Sequence, residues 1–222
     1  MISFGLVTEG ITDQEILSNV LFGFFKETNI PINPFQPIRD ETDKSRQGNF
    51  GGWLKVFEYC NSKYFRQAFQ SCDYIIIQLD SDVCEEYGIP KFESGTELKV
   101  IDLINKIKTH LINEIGQEFY NKVVDKVIFA ISVHSIECWF LPLFYTDNKR
   151  SKTTGCIGTL NRALETKNYG VFIDPDNKQF EIYQNLAKPL KKHKTLLKTY
   201  KHSPSFEVFY SDLAAKNINL GN

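Results

Sequence analysis

Long apolar runs are missing from this chain of 222 residues. No stretch of eighteen uncharged apolar residues occurs, so no segment is expected to span a bilayer. The opening "MISFGLV" has neither a basic leader nor a small-residue cleavage site, so no secretory signal is expected. The five cysteines, Cys60, Cys72, Cys84, Cys138 and Cys156, are odd in number and contain no CxxC pair. That spacing excludes a zinc ribbon and gives no disulfide framework, which implies reduced thiols in a cytoplasmic protein. Excess charge is missing too. A net charge of −1 requires any polyanion to be met by a local basic surface. No GxxxxGK[ST] run is present, which excludes nucleotide hydrolysis by a P-loop. Repeats and low-complexity tracts are also absent.

What is present is an alternation of strand-like and helix-like segments. "ISFGLV" (2–7) reads as a buried strand ending in the turn "TEG". A helical period follows from Thr12 through Ile16, Leu17, Val20, Leu21 and Phe24, with Thr12 and Glu15 spaced as a capping box. Two prolines in "NIPINP" end it. Residues 32–39 form at best an edge strand, and the polar stretch 39–52 reads as a mobile loop. Residues 53–70 are helical, with Leu54, Phe57, Tyr64, Ala68 and Phe69 turned inward. "DYIIIQLDSD" has the continuous β-branched character of a strand buried on both faces. Helix 96–115, strand 126–133 and a helix from Ser135 complete an α/β pattern. It implies a mostly parallel central sheet flanked by helices, a Rossmann-like fold over residues 1–145. Residues 146–222 carry helical patterns at 157–167, 179–200 and 205–216, a helical C-terminal extension.

In such a sheet the strands' carboxyl ends share one edge, where ligands bind. Glu9 follows the first strand, and Asp80 and Asp82 end a later one. If those strands are neighbours, three carboxylates converge and repel. A divalent cation with oxygen ligands, Mg²⁺ or Mn²⁺, relieves the conflict and leaves water positions for a phosphate. On an extended chain, Asp80 and Asp82 point the same way. Gly10 offers a sharp turn and room for phosphate. Asp13, one turn into the helix, either adds an outer ligand or caps the helix. An aspartate at a strand end is also an ordinary turn former.

These residues carry a resemblance. "ISFGLVTEGITDQEIL" resembles the first motif of the Toprim domain, and "YIIIQLDSDV" the second. Toprim domains occur in topoisomerases, primases, OLD-family nucleases and phage-defence effectors. "HSIECWFL" (134–141) is similar to a segment of small stand-alone bacterial Toprim-like proteins often encoded beside an ATPase. The resemblance implies Glu9 as general acid or base and as a participant in metal binding, and Asp80 and Asp82 as Mg²⁺ ligands. It makes Glu137, on the same rim, a candidate for a second metal or for supporting the ligands. Where topoisomerases often carry a third acidic residue, this chain has Cys84, which favours the nuclease branch. The implied activity is Mg²⁺- or Mn²⁺-dependent hydrolysis of DNA or RNA, with an ATPase partner, a defence role and possible homo-oligomers.

Lys191, Lys192, Lys194, Lys198 and Lys201 crowd one segment, either a solvated helix face or a grip on nucleic-acid backbone. His134 either orients a phosphate or is a structural histidine. Two other functions stay open: a nucleotide-sugar transferase using Asp80-x-Asp82, and a catalytically weak Toprim-like regulatory subunit.

Overall fold

The computed structural model describes residues 1–38 and 52–220. The expected loop at 39–52 therefore lies, apart from Gly52, outside the described residues. The chain is α/β, as its pattern requires. Strands β1 (Phe4–Val7), β2 (Ile32–Gln36), β3 (Tyr74–Asp80) and, later, β6 (Val127–Ser132) form one parallel sheet in the order β2-β1-β3-β6. Between them run α1 (Ile11–Phe25), α2 (Trp53–Asn61), α3 (Lys63–Ala68), the hairpin β4 (Phe92–Glu93) and β5 (Thr96–Glu97), α4 (Val100–Ile115) and α5 (Gln117–Val123). After β6 come a 3-10 turn at Ile136–Phe140, α6 (Leu141–Phe144), α7 (Cys156–Thr166), α8 (Phe180–Ala187), α9 (His193–Thr199) and α10 (Pro204–Ala215). No helix among the described residues is long and apolar enough to cross a membrane.

Period-two alternation on the strands sorts the core into two layers. Phe4, Leu6, Ile76, Ile128 and Ala130 face one layer, with α1 and the C-terminal helices. Val7, Ile75, Ile77, Leu79, Phe129 and Ile131 face the other, with α2 to α5. The chain steps from β1 outward to β2, then back past β1 to β3. Right-handed crossovers put helices on opposite faces when the direction of stepping reverses. That explains why α1 covers one face and α2 to α5 the other. β2 is the edge strand, which is how it tolerates Pro34, placed opposite Leu6 just before a register shift.

Several sequence expectations shift. The helix expected over 53–70 breaks at Ser62, whose hydroxyl accepts from the backbone N–H of Tyr64 and Phe65 and starts α3. Leu54 and Tyr64 are 52% and 59% exposed, so they are not core residues. The helix expected from 96 begins at Val100, because Ser94 and Gly95 both take positive φ and turn a hairpin first. The segment 179–200 is not one helix. Pro189 interrupts it, since it lacks an N–H and its ring clashes with the preceding turn, so α8 and α9 are separated by a 3-10 turn at Lys188–Lys191. Pro142 sits in the first turn of α6, where its missing N–H is harmless.

The C-terminal helices are bound to the sheet by an aromatic stack. Trp139 is fully buried against Phe206, with ring centres 4.3 Å apart, and against Phe209 at 5.4 Å. Its indole N–H donates to the Ser205 hydroxyl at 3.0 Å. The cap position of α10 is taken by Ser203. Cys138 and Cys156 form a disulfide, which corrects the expectation of reduced thiols throughout; Cys60, Cys72 and Cys84 are buried thiols.

The 188–191 turn packs against α1 so closely that a Cβ on Gly23 would lie 2.1 Å from the Leu190 carbonyl oxygen. Gly23→Ala must push backbone apart in a packed core. We expect it to destabilise the fold by about 1–3 kcal/mol, read as a lower urea midpoint with unchanged slope.

Candidate metal and phosphate site

The strand order reverses between β1 and β3, and in open parallel sheets the crevice at the carboxyl ends of that pair is where ligands bind. Glu9 and Asp80 meet there. Asp80 donates its backbone N–H to Glu9 Oε1 at 2.6 Å. Gln78 ties the two chain ends a second time: its Oε1 accepts from Glu9 N–H at 3.1 Å, and its Nε2 donates to Asp80 Oδ1 at 2.9 Å. Asp80 Oδ1 also accepts from Ile136 N–H at 3.1 Å, joining the turn after β6 to the site. Three segments distant in sequence are thereby fixed on one rim.

Asp13 resolves its two expected roles in part. It is the third residue of α1, and its Oδ2 accepts from Gly10 N–H at 2.8 Å, so the helix starts at Ile11 with Gly10 as cap rather than at Thr12. A carboxylate there also suits the positive end of the helix dipole. The chain bends at Glu9–Gly10, as expected, but Gly10 has φ −142°, an ordinary extended value that does not require glycine. Asp82 lies beyond the end of β3. The strand stops at Asp80, and Ser81 turns away with its N–H directed at the Ser132 and His134 carbonyls. Asp80 and Asp82 therefore do not share one extended face as their spacing suggested. Asp80 is buried and Asp82 exposed, though still within electrostatic reach of Glu9.

Glu137 is fully buried, and its partner is a residue the sequence did not single out. Lys178, on the loop after α7, sets its Nζ 2.7 Å from Glu137 Oε1, which also accepts from the Tyr183 hydroxyl at 2.5 Å. The Lys178 side chain stays 32% exposed. Its ammonium also acts on Asp13 and Asp80, and together with Glu137 these carboxylates hold it charged against the opposing effect of burial. No periodicity or motif marks a lone lysine in "DPDNKQ". Its role is visible only in three dimensions.

Five carboxyl groups thus lie within electrostatic reach of one ammonium, and their proton affinities record the crowding. Burial, reinforced by Asp13 and Asp82, raises Glu9 to about 8 despite the Asp80 hydrogen bond. Burial and Glu137 raise Asp13 to about 6. Burial and Glu9 lift Asp80 well above its usual range, and burial lifts Asp82. Glu137 alone goes down: burial opposes ionisation, but Lys178 and the hydrogen bonds around it outweigh that. His134 is lowered, by burial and by Lys91, which fits a neutral structural ring better than a phosphate-binding cation.

Oxygen atoms without partners gather on the same rim. Asp13 Oδ1, Ser81 Oγ, Ser132 Oγ and Glu137 Oε2 are buried and accept or donate no hydrogen bond among the described residues. Native proteins rarely leave such atoms unsatisfied unless water or an ion completes them. The donor set is all oxygen, which suits Mg²⁺ or Mn²⁺. Among the described residues, no three His, Cys, Asp or Glu side chains are disposed to hold one ion directly. Mg²⁺ does not require that, because it is commonly held by one or two carboxylates with water and substrate phosphate filling the rest.

The lysine run stands elsewhere. Lys191 lies over the Phe22 ring, and His193 Nδ1 pairs with the Gly23 carbonyl. Gly23 is roughly 18 Å along α1 from Ile11, at 1.5 Å per residue. Lys192, Lys194 and Lys198 share that segment, at the opposite end of α1 from the carboxylates.

No protein-family model matches the chain, and no curated protein or solved structure compared with it does so either.

Two outcomes follow. A raised carboxyl stabilises the fold below its unfolded pKa, and that stability is lost as pH climbs through the folded value. For Glu9 the window runs from about 4.5 to about 8, and for Asp13 from about 3.8 to about 6. The metal-free protein should therefore lose stability as pH rises from about 4.5 to about 8, and Glu9→Gln should reduce that slope in urea titrations. A flat wild-type profile would contradict the crowding. Second, Lys178→Met leaves Glu137 buried without its cation. It should destabilise by about 2–3 kcal/mol, below the ~3–5 typical of fully enclosed pairs because Lys178 is partly solvated, and millimolar Mn²⁺ should recover part of the loss.

Proposed function

We propose that this protein is a Toprim-type nuclease that hydrolyses phosphodiester bonds in DNA or RNA with Mg²⁺ or Mn²⁺. The observation that carries the proposal is the joining of Glu9 to Asp80 across the β1–β3 reversal point, with Asp13, Asp82 and Glu137 gathered around them. The resemblance of residues 2–17 and 74–83 to the two Toprim motifs supplies the reaction class, and the carboxylates at those motif positions support it by meeting at a ligand-binding edge.

Within this reading Asp80 and Glu9 would hold the ion directly, with Asp82, Asp13 and Glu137 acting through water around it. A bound divalent cation would supply charge neutralisation for the scissile phosphate and the oxyanion that develops on it. In the metal-free protein burial raises Glu9 to about 8, so it holds a proton at neutral pH. A bound cation would favour the ionised form, in which Glu9 would take a proton from the attacking water. Lys178 adds positive charge beside the same phosphate position. An ATPase partner and a role in phage defence belong to the same proposal, on the resemblance of residues 134–141.

One observation favours a second reading, a catalytically weak regulatory subunit. Lys178 already occupies the centre of the carboxylate group, where it offsets the charge a cation would otherwise meet. Metal affinity separates the two.

Purified protein with Mg²⁺ or Mn²⁺ should cut nucleic acid, and either Glu9→Gln or Asp80→Asn should lower the rate at least about 100-fold. Mn²⁺ should raise the melting temperature of wild type and not of Asp80→Asn. Equal cutting by wild type and both variants removes the assignment, and a thermal shift without any cutting favours the regulatory subunit.

A further inference from the structure

The loop that delivers Lys178 begins with a cluster of exposed rings. Tyr169 and Phe172 are 55% and 65% exposed, and Val171 between them is also open to solvent. Large apolar side chains on a loop are normally turned inward, and several exposed together mark an interaction surface. The loop that carries them is built rather than loose. Asn168 and Gly170 take positive φ and turn the chain sharply on either side of Tyr169. Ile173 is buried, and it exchanges two hydrogen bonds with the Asn161 side chain on α7, each 2.8 Å. Asp174 then closes a turn by accepting from Asp176 N–H. At the far end Lys178 is anchored on Glu137. The exposed rings are thus held on a frame pinned at both ends, with Phe172 no more than roughly 20 Å from Lys178 along even a fully extended chain.

The surroundings of those rings are basic and aromatic. Tyr169 meets Phe144 edge-on at 5.6 Å, the Lys167 ammonium stands over Phe144 at 5.1 Å, and Lys149 stands over Tyr145 at 5.0 Å. Between residues 145 and 172 the sequence has five lysines and arginines against two acidic residues, in a chain that is otherwise close to neutral. One of those two, Asp147, is engaged with Lys149 at 3.6 Å. Exposed rings interleaved with cations suit a flexible polyanion with unpaired bases: the rings stack on base faces, and the cations follow the phosphates. A duplex hides those faces in its own stack, and a hydrophobic protein partner would have no use for the surplus positive charge.

Resting on the nuclease reading, we infer that Tyr169 and Phe172, with Lys149 and Lys167, form a docking surface for single-stranded nucleic acid that leads along the 167–179 loop to the carboxylate rim. The loop then has two functions on one frame: its tip holds unpaired bases, and its base places Lys178 beside the phosphate to be cut.

The test measures binding by full-length protein in EDTA, by fluorescence anisotropy, with three labelled probes of equal length: a single-stranded oligonucleotide, its abasic counterpart and its duplex. Wild type should hold the base-bearing single strand at least about fivefold more tightly than either other probe. Tyr169→Ala with Phe172→Ala should weaken single-strand binding about tenfold or more and erase the preference over the abasic strand. Both positions are exposed, so the melting temperature should stay within a degree or two of wild type. Lys149→Ala with Lys167→Ala should weaken single-stranded and abasic probes alike, and should reduce the slope of log K against log salt by about 1.4. Equal affinity of wild type and the double aromatic variant overturns the inference. So does equal binding of abasic and base-bearing strands, and so does loss of self-association in the aromatic variant with no change in oligonucleotide binding. Cleavage assayed in parallel separates the two readings. Cutting that persists while the aromatic variant binds normally removes this surface and leaves the nuclease, whereas ring-dependent binding with no cutting in Mg²⁺ or Mn²⁺ removes the nuclease and leaves the surface.

Discussion

Charge confinement at the β1–β3 reversal governs the rest of this molecule. Two adjacent parallel strands end on carboxylates that are tied to each other by the Asp80 N–H and by Gln78. The turn after β6 brings a third acidic residue, Glu137, into a fully buried position on the same rim. Such a group is unfavourable in isolation, since each ionised member raises the cost of ionising the next. It persists because the fold supplies counterweights: backbone N–H donors, a proton retained on Glu9, and the Lys178 ammonium. Remove those counterweights and the strand ends have reason to separate.

The C-terminal helices follow from this constraint. A four-stranded sheet with α1 on one face leaves apolar strand residues such as Ile128 and Ala130 to be covered, and residues beyond 145 cover them. The Trp139 stack with Phe206 and Phe209 fixes α10 against the turn that carries Glu137. Tyr183 on α8 donates to Glu137 itself. The disulfide between Cys138 and Cys156 joins that same turn to the start of α7, whose far end opens the Lys178 loop. The helical part is therefore more than a lid on the apolar face. It positions Glu137, and it supplies the cation that Glu137 requires.

How much of this was legible in the sequence depends on the range of the forces involved. β1, β3 and β6 were legible because continuous burial selects continuous apolar runs, and their parallel arrangement followed from the alternation with helices, whereas their order in the sheet did not. Glu9, Asp80 and Glu137 were legible as rim residues because each stands just beyond an apolar run, and Asp13 because it opens the helix that follows the first of them. The reach of Asp82 was not, since the chain leaves the extended state one residue earlier than the spacing suggests. The break at Pro189 was legible in principle from the missing N–H, yet the apolar period on either side of it outweighed that single residue. The hairpin at Phe92–Glu97 is too short to display a period, and its signal is the two-residue turn at Ser94 and Gly95 alone. Lys178 and the Cys138–Cys156 bond carry no local signature, because both pairings are decided by how α7 and its loop pack, and a single side chain says nothing of that.

A lysine at the centre of an acidic group has consequences for any cation that enters. Lys178 and a divalent ion would be attracted to the same carboxylates and would repel one another, so the ion's apparent affinity must include the work of moving or tolerating that ammonium. A side chain on a flexible four-carbon stem, one third solvated, can withdraw toward water while its backbone stays anchored. The same displacement would carry its charge outward, to the side from which a phosphate must approach. Arginine, with its rigid planar fork, would bind Glu137 in two places and yield less readily. The choice of lysine at this position therefore fits a site whose negative charge is partly offset when empty and which must still accept both a cation and an anion, and it links the electrostatic balance of the resting protein to the step in which substrate arrives.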